Sequence, residues 1–256
     1  SYLSAQNPIK KDVLQMIFEP FKIPSPSMVP TLLVGDHLFV SKTAYDLRVP
    51  FTQKSVIRLS EPKRGDVVVF EYPNGEEDPM KKGVFFIKRL IAIPGDEISV
   101  IDGFPVINGE SAKIEKISLD TANSEMPGFS DVAVDFYKET LPGQNDRWHW
   151  VRRKPERIGD YLYQDETQAD CQSIGTPTSI VQSADGTRYR PLHIKNFCSF
   201  VVPEDHYFFM GDNREDSSDG RVFGLVHRKF LKGKALFIWL SLPSRPSTIS
   251  NYSLAK

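Results

Sequence analysis

Residues 85–96 read FFIKRLIAIPGD, an apolar run carrying two adjacent cations, Lys88 and Arg89, and closed by Pro94 and Gly95. Aromatic and β-branched residues ending at a Pro-Gly stop predict a β-strand. Alternation sends Val84, Phe86, Lys88 and Leu90 to one face and Phe85, Ile87, Arg89 and Ile91 to the other. Whichever face is covered, a cation therefore lies among apolar neighbours. On an edge strand the cations would reach solvent along their stems. In a covered strand Lys88 is desolvated, and burial disfavours the ammonium form. Bringing a lysine from its reference near 10.4 toward about 7 to 8 makes it a usable general base, at a cost of about 3 to 5 kcal/mol. Such a base needs no histidine.

Working outward, similar short runs recur between turn signals. They are DHLFVSK from Asp36, GDVVVFEY from Gly65, DEISVI from Asp96, HYFFM from His206 and KALFIWLSL from Lys234. The expectation is a mostly β fold with few short helices. One helix is expected in KKDVLQMIF from Lys10, with Val13, Met16 and Ile17 on one face. Between residues 102 and 198 the composition turns polar and is punctuated by Pro and Gly, as in EMPGFSD, LPGQNDRWHW and SADGTRY. This stretch reads as an inserted smaller β-rich domain. The expected division is an N-terminal segment at 1–17, a core at 18–101 and 199–245, the insertion at 102–198, and a tail at 246–256.

Composition narrows the partners. The 256 residues carry 32 Lys+Arg against 33 Asp+Glu, without the basic surplus of a nucleic-acid binder. No run approaches the roughly 18 apolar residues that span a bilayer. The longest, near Ala235 to Leu240, is of strand length. The first residue is Ser rather than Met, so an upstream signal or anchor is expected to have been removed. Cys171 and Cys198 are candidates for a disulfide in an oxidising compartment. Their spacing leaves pairing and two separate thiols equally open, and it does not suggest a zinc site.

Two further stretches carry polar chemistry. In IPSPSM, residues 23–28, Ser25 and Ser27 stand two apart in a segment that the prolines are expected to keep extended. Side chains two apart in an extended chain point the same way, so both hydroxyls can address one site; the plain alternative is a connecting loop with two surface hydroxyls. In MGDNREDSSDGR, residues 210–221, a calcium-loop template begun at Asp212 places Arg214 third and Ser217 sixth, so the metal reading fails and no cofactor is expected. What remains is a polar turn, or a loop that hydrogen-bonds a catalytic group with Asp219 and Arg221 as an internal ion pair. None of His37, His149, His193, His206 or His227 lies in the setting of a Ser/His/Asp triad, and His206 reads as a strand-edge histidine.

Taken in order, PSPSMVPTLLVGDHLFVSK, KRGDVVVFEYP, FIKRLIAIPGDEI and GDNREDSSDGR resemble the boxes of the bacterial type I signal peptidases, or leader peptidases, which are Ser/Lys membrane endopeptidases. The resemblance covers residues 18–101 and 199–241. It implies a signal-peptidase-like β-sheet catalytic core and a hydrolase that removes signal peptides from exported preproteins after small residues, in an Ala-x-Ala pattern. By that resemblance Ser27 is the nucleophile, Lys88 the general base, and Ser25 the hydroxyl joining the Ser27 N–H in the oxyanion hole. Ser217 would orient the lysine, with Asp219 and Arg221 as supporting ion pair. Phe21, Ile23, Pro24, Met28, Leu32, Phe86 and Ile87 would wall the substrate pockets.

The implied partners are signal peptides and the lipid surface of the cytoplasmic membrane, with the catalytic domain on the extracytoplasmic, periplasmic side. MIFEPFKI, before the nucleophile, is a candidate for an apolar rim facing lipid, while the preceding NPIKKD is more polar than an anchor. Two departures stand out: Pro26 where many family members have Gly, and Gly220 where another serine often stands. Two other readings are a retired relative that only binds exported peptides, and a self-cleaving repressor-type Ser/Lys protease. The repressor type carries a helix-turn-helix, and no basic three-helix pattern is present.

Overall fold

The computed structural model describes residues 17–48, 55–75, 78–118, 120–122, 134–145, 147–154, 181–182, 188–189 and 197–242. They are mostly β, with a few short helical turns. The main sheet runs Phe18–Lys22, Asp36–Ser41, Leu231–Ser241, Val67–Glu71, Phe85–Ala92, His206–Met210, Val226–His227, with every neighbouring pair antiparallel. The strand bearing Lys88 and Arg89 is therefore interior. It pairs Lys88 with Val68 and Arg89 with Val67 on one side, and Leu90 with Phe209 on the other.

Apolar residues on both faces of that strand explain its position. Leu90 enters a cluster with Val68, Phe70, Tyr207 and Phe209, whereas Ile91 and Ala92 enter another with Ile98, Phe208 and Met210. Full burial of each such side chain contributes about 1.5–3 kcal/mol. The edge-strand alternative thus gives way, because residues Ile87 through Ala92 are all buried.

A second sheet runs Phe197–Val201, Glu97–Ile101, Phe104–Ile107 and Glu110–Ser111, the last three forming a meander closed by two-residue turns. Asp102 and Gly103 have φ of 51° and 75°, the doubly positive geometry that suits Asp-Gly in a hairpin. This hairpin straddles the boundary expected at residue 101. Within the expected insertion, Lys113–Ile117, Asp135–Thr140 and Trp148–Arg153 form a three-stranded antiparallel sheet. Its apolar side, with Ile117, Ala122, Val134, Phe136 and Trp150, closes on Val29 and Leu33 of the first segment.

The helix expected from Lys10 falls outside the described residues except at its end: Ile17 is helical, and Phe18 already begins a strand. Cys171 and the tail from 246 also lie outside them, so the cysteine pairing is not described. Among the described residues no helix is long and apolar enough to cross a membrane, and no group of three or more His, Cys, Asp or Glu is placed to hold a metal ion.

Candidate active site

The two serines sit where extended chain becomes a tight turn. Ser25 is extended, at φ −134° and ψ 155°, but Pro26–Met28 forms a single 3-10 turn closed by the Val29 N–H donating to the Pro26 carbonyl at 3.0 Å. The expectation of a wholly extended segment is corrected here. Pro26 occupies the first helical position, where its fixed φ suits the turn and its missing N–H has no intrahelical partner to lose. The two hydroxyls still converge: Ser25 Oγ, exposed, lies 3.4 Å from Ser27 Oγ, buried.

Lys88 meets this turn from the sheet. Its Nζ donates to Ser27 Oγ at 2.7 Å and to the Ile87 carbonyl at 2.9 Å, and lies 5.4 Å from the centroid of the Phe86 ring. Ser27 is 6% exposed and Lys88 4%, so the pair is shielded from water. Burial lowers the Lys88 amine from 10.5 to about 8, outweighing Asp219 and Asp212, which favour the charged form.

The loop at residues 211–221 lies against the Ser27 turn, where the Asn213 N–H donates to the Ser27 carbonyl at 3.1 Å. Arg221 grips Asp219 with two bonds, Nε to Oδ1 at 2.9 Å and Nη2 to Oδ2 at 2.8 Å, and the Gly211 N–H adds a third at 2.8 Å. Burial pushes the Asp219 carboxyl up, but Arg221 holds it below the usual carboxylate range. Ser217 is fully buried near this carboxylate. It helps keep Asp219 ionised without the geometry of a full hydrogen bond, and it makes no bond to Lys88 among the described residues. Gly211 is the contact point: a Cβ there would overlap the Ser217 side chain and stand 2.6 Å from the Ser27 carbonyl oxygen.

Of the residues expected to wall the substrate pockets, Ile23, Met28, Leu32 and Ile87 pack in one cluster with Leu38, Val40 and Val69, and Phe21 packs against it. Pro24 is exposed. Phe86 stands apart, against Tyr72 and Phe223, as strand alternation requires of the neighbour of Ile87.

Several buried ionic residues escaped the sequence reading. Arg89, beside Lys88, makes two bonds to Asp212, at 2.8 and 2.6 Å, and Thr31 also donates to that carboxylate. Arg214 donates to Glu139 at 2.5 Å, and His149 approaches the same oxygen at 3.0 Å. Burial pushes Glu139 up, but Arg214 and His149 bring it to about 2. Burial and Arg89 push His149 down. Arg89 and Asp212 lay inside stretches already singled out, whereas Glu139 and His149 sit in ordinary-looking polar sequence and gain meaning only from their burial.

A serine hydroxyl held on a desolvated amine within a mostly β scaffold has the chemical parts of a serine hydrolase that works without imidazole. Residues 12–240 match the family described as signal peptidase, peptidase S26. The signal peptidase I of Buchnera aphidicola subsp. Acyrthosiphon pisum is 32% identical, over 90% of this chain and 70% of its own length. That of Pseudomonas aeruginosa is 31% identical, over 93% and 70%, and that of Rickettsia felis 35%, over 88% and 73%. A crystal structure of a signal peptidase I from Enterococcus faecalis V583 is 21% identical, covers 68% of this chain and 97% of that one, and gives a TM-score of 0.32. The sequence matches carry the assignment: this chain belongs to the signal peptidase family of serine endopeptidases.

Proposed function

We propose that this chain removes signal peptides from exported preproteins after small residues, using Ser27 as nucleophile and Lys88 as general base. The observation that supports it is the 2.7 Å contact between Lys88 Nζ and Ser27 Oγ in a site largely shielded from bulk water. Neutral Lys88 takes the hydroxyl proton as Ser27 Oγ bonds to the scissile carbonyl carbon. The carbonyl electron pair moves to oxygen, where the Ser27 N–H and the Ser25 hydroxyl receive the charge. Ser27 is second in its turn, so its N–H has no acceptor within that turn. Collapse of the intermediate breaks the C–N bond, and Lys88 returns the proton to the leaving amine. Water, deprotonated by the same amine, then releases the acyl group from Ser27.

Small substrate side chains suit a wall built from Ile23, Met28, Leu32 and Ile87, because these apolar residues are already packed against one another. An extended peptide laid beside the Ile23 segment would send alternate side chains into it. An aromatic band supports contact with a lipid surface on the extracytoplasmic side. Phe39 lies 5.7 Å from both Phe237 and Trp239, which are 58% and 48% exposed. Leu236 and Leu242 extend the band, and Phe85, three residues before Lys88, is exposed against Phe21. Apolar side chains left in water at this density mark an interaction surface. The Leu231–Ser241 strand thus joins MIFEPFKI, which contributes Phe21, as a source of the rim.

The test is cleavage of a preprotein bearing an Ala-x-Ala site, in detergent or lipid, by wild type, Ser27→Ala and Lys88→Met. A cut directly after the second Ala, lost in both variants, is expected. Peptide binding by a folded wild type without any cut would instead identify a relative that only binds exported peptides.

A further inference from the structure

We infer that Asn213 sets the orientation of the oxyanion-hole peptide, and that the inserted region acts on the nucleophile through it; this rests on the reading of Ser27 as nucleophile. Asn213 is fully buried between the two regions. Its Nδ2 donates to the Pro26 carbonyl at 3.0 Å, and its main-chain N–H donates to the Ser27 carbonyl at 3.1 Å. The first contact matters most. The Pro26 carbonyl and the Ser27 N–H belong to one planar peptide unit and point in opposite directions. That carbonyl also accepts from the Val29 N–H at 3.0 Å within the turn, so Asn213 is the donor that holds it from outside the turn; together they aim the Ser27 N–H away from the loop, leaving it to meet a substrate carbonyl alongside Ser25. A peptide rotated about its flanking bonds would lose this donor while leaving the Ser27 side chain in place.

Asn213 is in turn fixed from the insertion. Arg152 Nη1 donates to Asn213 Oδ1 at 3.2 Å, which leaves only the amide nitrogen to face Pro26. The Arg152 N–H donates to the Asp212 carbonyl at 2.8 Å, and the backbones of Arg152 and Asn213 form a parallel bridge. Neighbouring contacts hold the same register: Arg153 to Glu215 at 3.0 Å, Lys154 to Asp216 at 2.6 Å, and Arg214 to Glu139 at 2.5 Å. The Trp148–Arg153 strand is thus laid along the loop that holds the Ser27 turn, while the same three-stranded sheet packs on Val29 just beyond it. Asn213 and Arg152 are positioning residues, touching neither the substrate nor the reacting atoms.

The experiment compares Asn213→Asp, Arg152→Ala and the double variant with wild type. Aspartate keeps the shape of asparagine but cannot donate to the Pro26 carbonyl. The kcat of Asn213→Asp is expected to fall on the order of 10 to 100-fold, with KM little changed. Arg152→Ala should fall less, and the double variant no further than Asn213→Asp alone. A peptide aldehyde ending in Ala-x-Ala adds the reading that general damage would not give. Its hemiacetal oxygen occupies the oxyanion position, so its affinity should weaken by the factor lost in kcat/KM, while an uncleavable peptide of the same sequence binds as before. Wild-type turnover in both single variants, or equal weakening of aldehyde and peptide, overturns the inference. Ser27→Ala in the same assay separates the two levels: if it still cleaves, the nucleophile reading itself fails. If it is inactive while Asn213→Asp and Arg152→Ala match wild type, only the role of Asn213 fails.

Discussion

Lys88 Nζ and Ser27 Oγ, 61 residues apart in the chain, lie 2.7 Å apart with no histidine between them. The amine must be neutral to accept the hydroxyl proton, so rate should follow its deprotonated fraction. With burial lowering Lys88 to about 8, kcat/KM should rise as pH increases through about 8 and level off above it. A pH–rate profile on a peptide substrate checks this. An ascending limb centred near 6.5 would point to an imidazole instead.

The same burial has a stability consequence of definite sign. The unfolded chain keeps the Lys88 proton up to 10.5 and the folded one only to about 8, so the unfolded state binds more protons between these values and stability rises with pH there. Below about 8 the full penalty is present, roughly 3–4 kcal/mol at about 1.4 kcal/mol per unit. Lys88→Met should therefore stabilise the fold at pH 7, and that advantage should shrink as pH rises from 8 to 10.5. Urea unfolding of both proteins across this range is the measurement.

Ser25→Ala should slow the enzyme without stopping it. Removing one oxyanion donor typically lowers kcat by about 10²–10³-fold while KM is retained. Steady-state kinetics decide the matter, and unchanged turnover would remove the Ser25 hydroxyl from the mechanism.

The Asp219–Arg221 pair should behave as a buried ion pair. Arg221→Ala leaves a fully buried carboxylate without its cation and should destabilise by about 3–5 kcal/mol. Replacing both residues by apolar ones should recover much of that loss. A double-mutant cycle in urea tests it: additive losses would mean the two side chains act separately.

Membrane contact should depend on the exposed aromatics. Phe237→Ser with Trp239→Ser removes the two large exposed aromatics of the band while leaving the buried core of the strand. Cosedimentation with lipid vesicles should drop, with cleavage of a short soluble peptide retained. Equal binding by both proteins would place the lipid contact elsewhere.

Much of this was legible in the chain itself, for reasons that can be named. The strands announce themselves by apolar runs between turn residues, and the FFIKRLIA run marks a cation among apolar neighbours on either face, while its burial follows only from the strand's interior place in the sheet. What local sequence does not carry is the partner of a buried charge. Arg89 and Asp212 meet across 123 residues, and Glu139 meets Arg214 across 75, through a topology no short window contains. The turn at Pro26 was misjudged because proline suits a first helical position as well as an extended one. Ser217 is fully buried near Asp219, and its expected role of orienting Lys88 stands as a proposal.

The apolar cluster that joins Val29 and Leu33 to Ile117 and Phe136 draws its two halves from regions far apart in the chain. Neither half can stay dry without the other, so the peptide after the nucleophile and the inserted strands should open together as one unit in native-state hydrogen exchange. A nascent chain whose main sheet has formed before the insertion closes would then hold its serine and lysine on an unsecured turn. In such a chain the protease would stay idle until the inserted layer is in place.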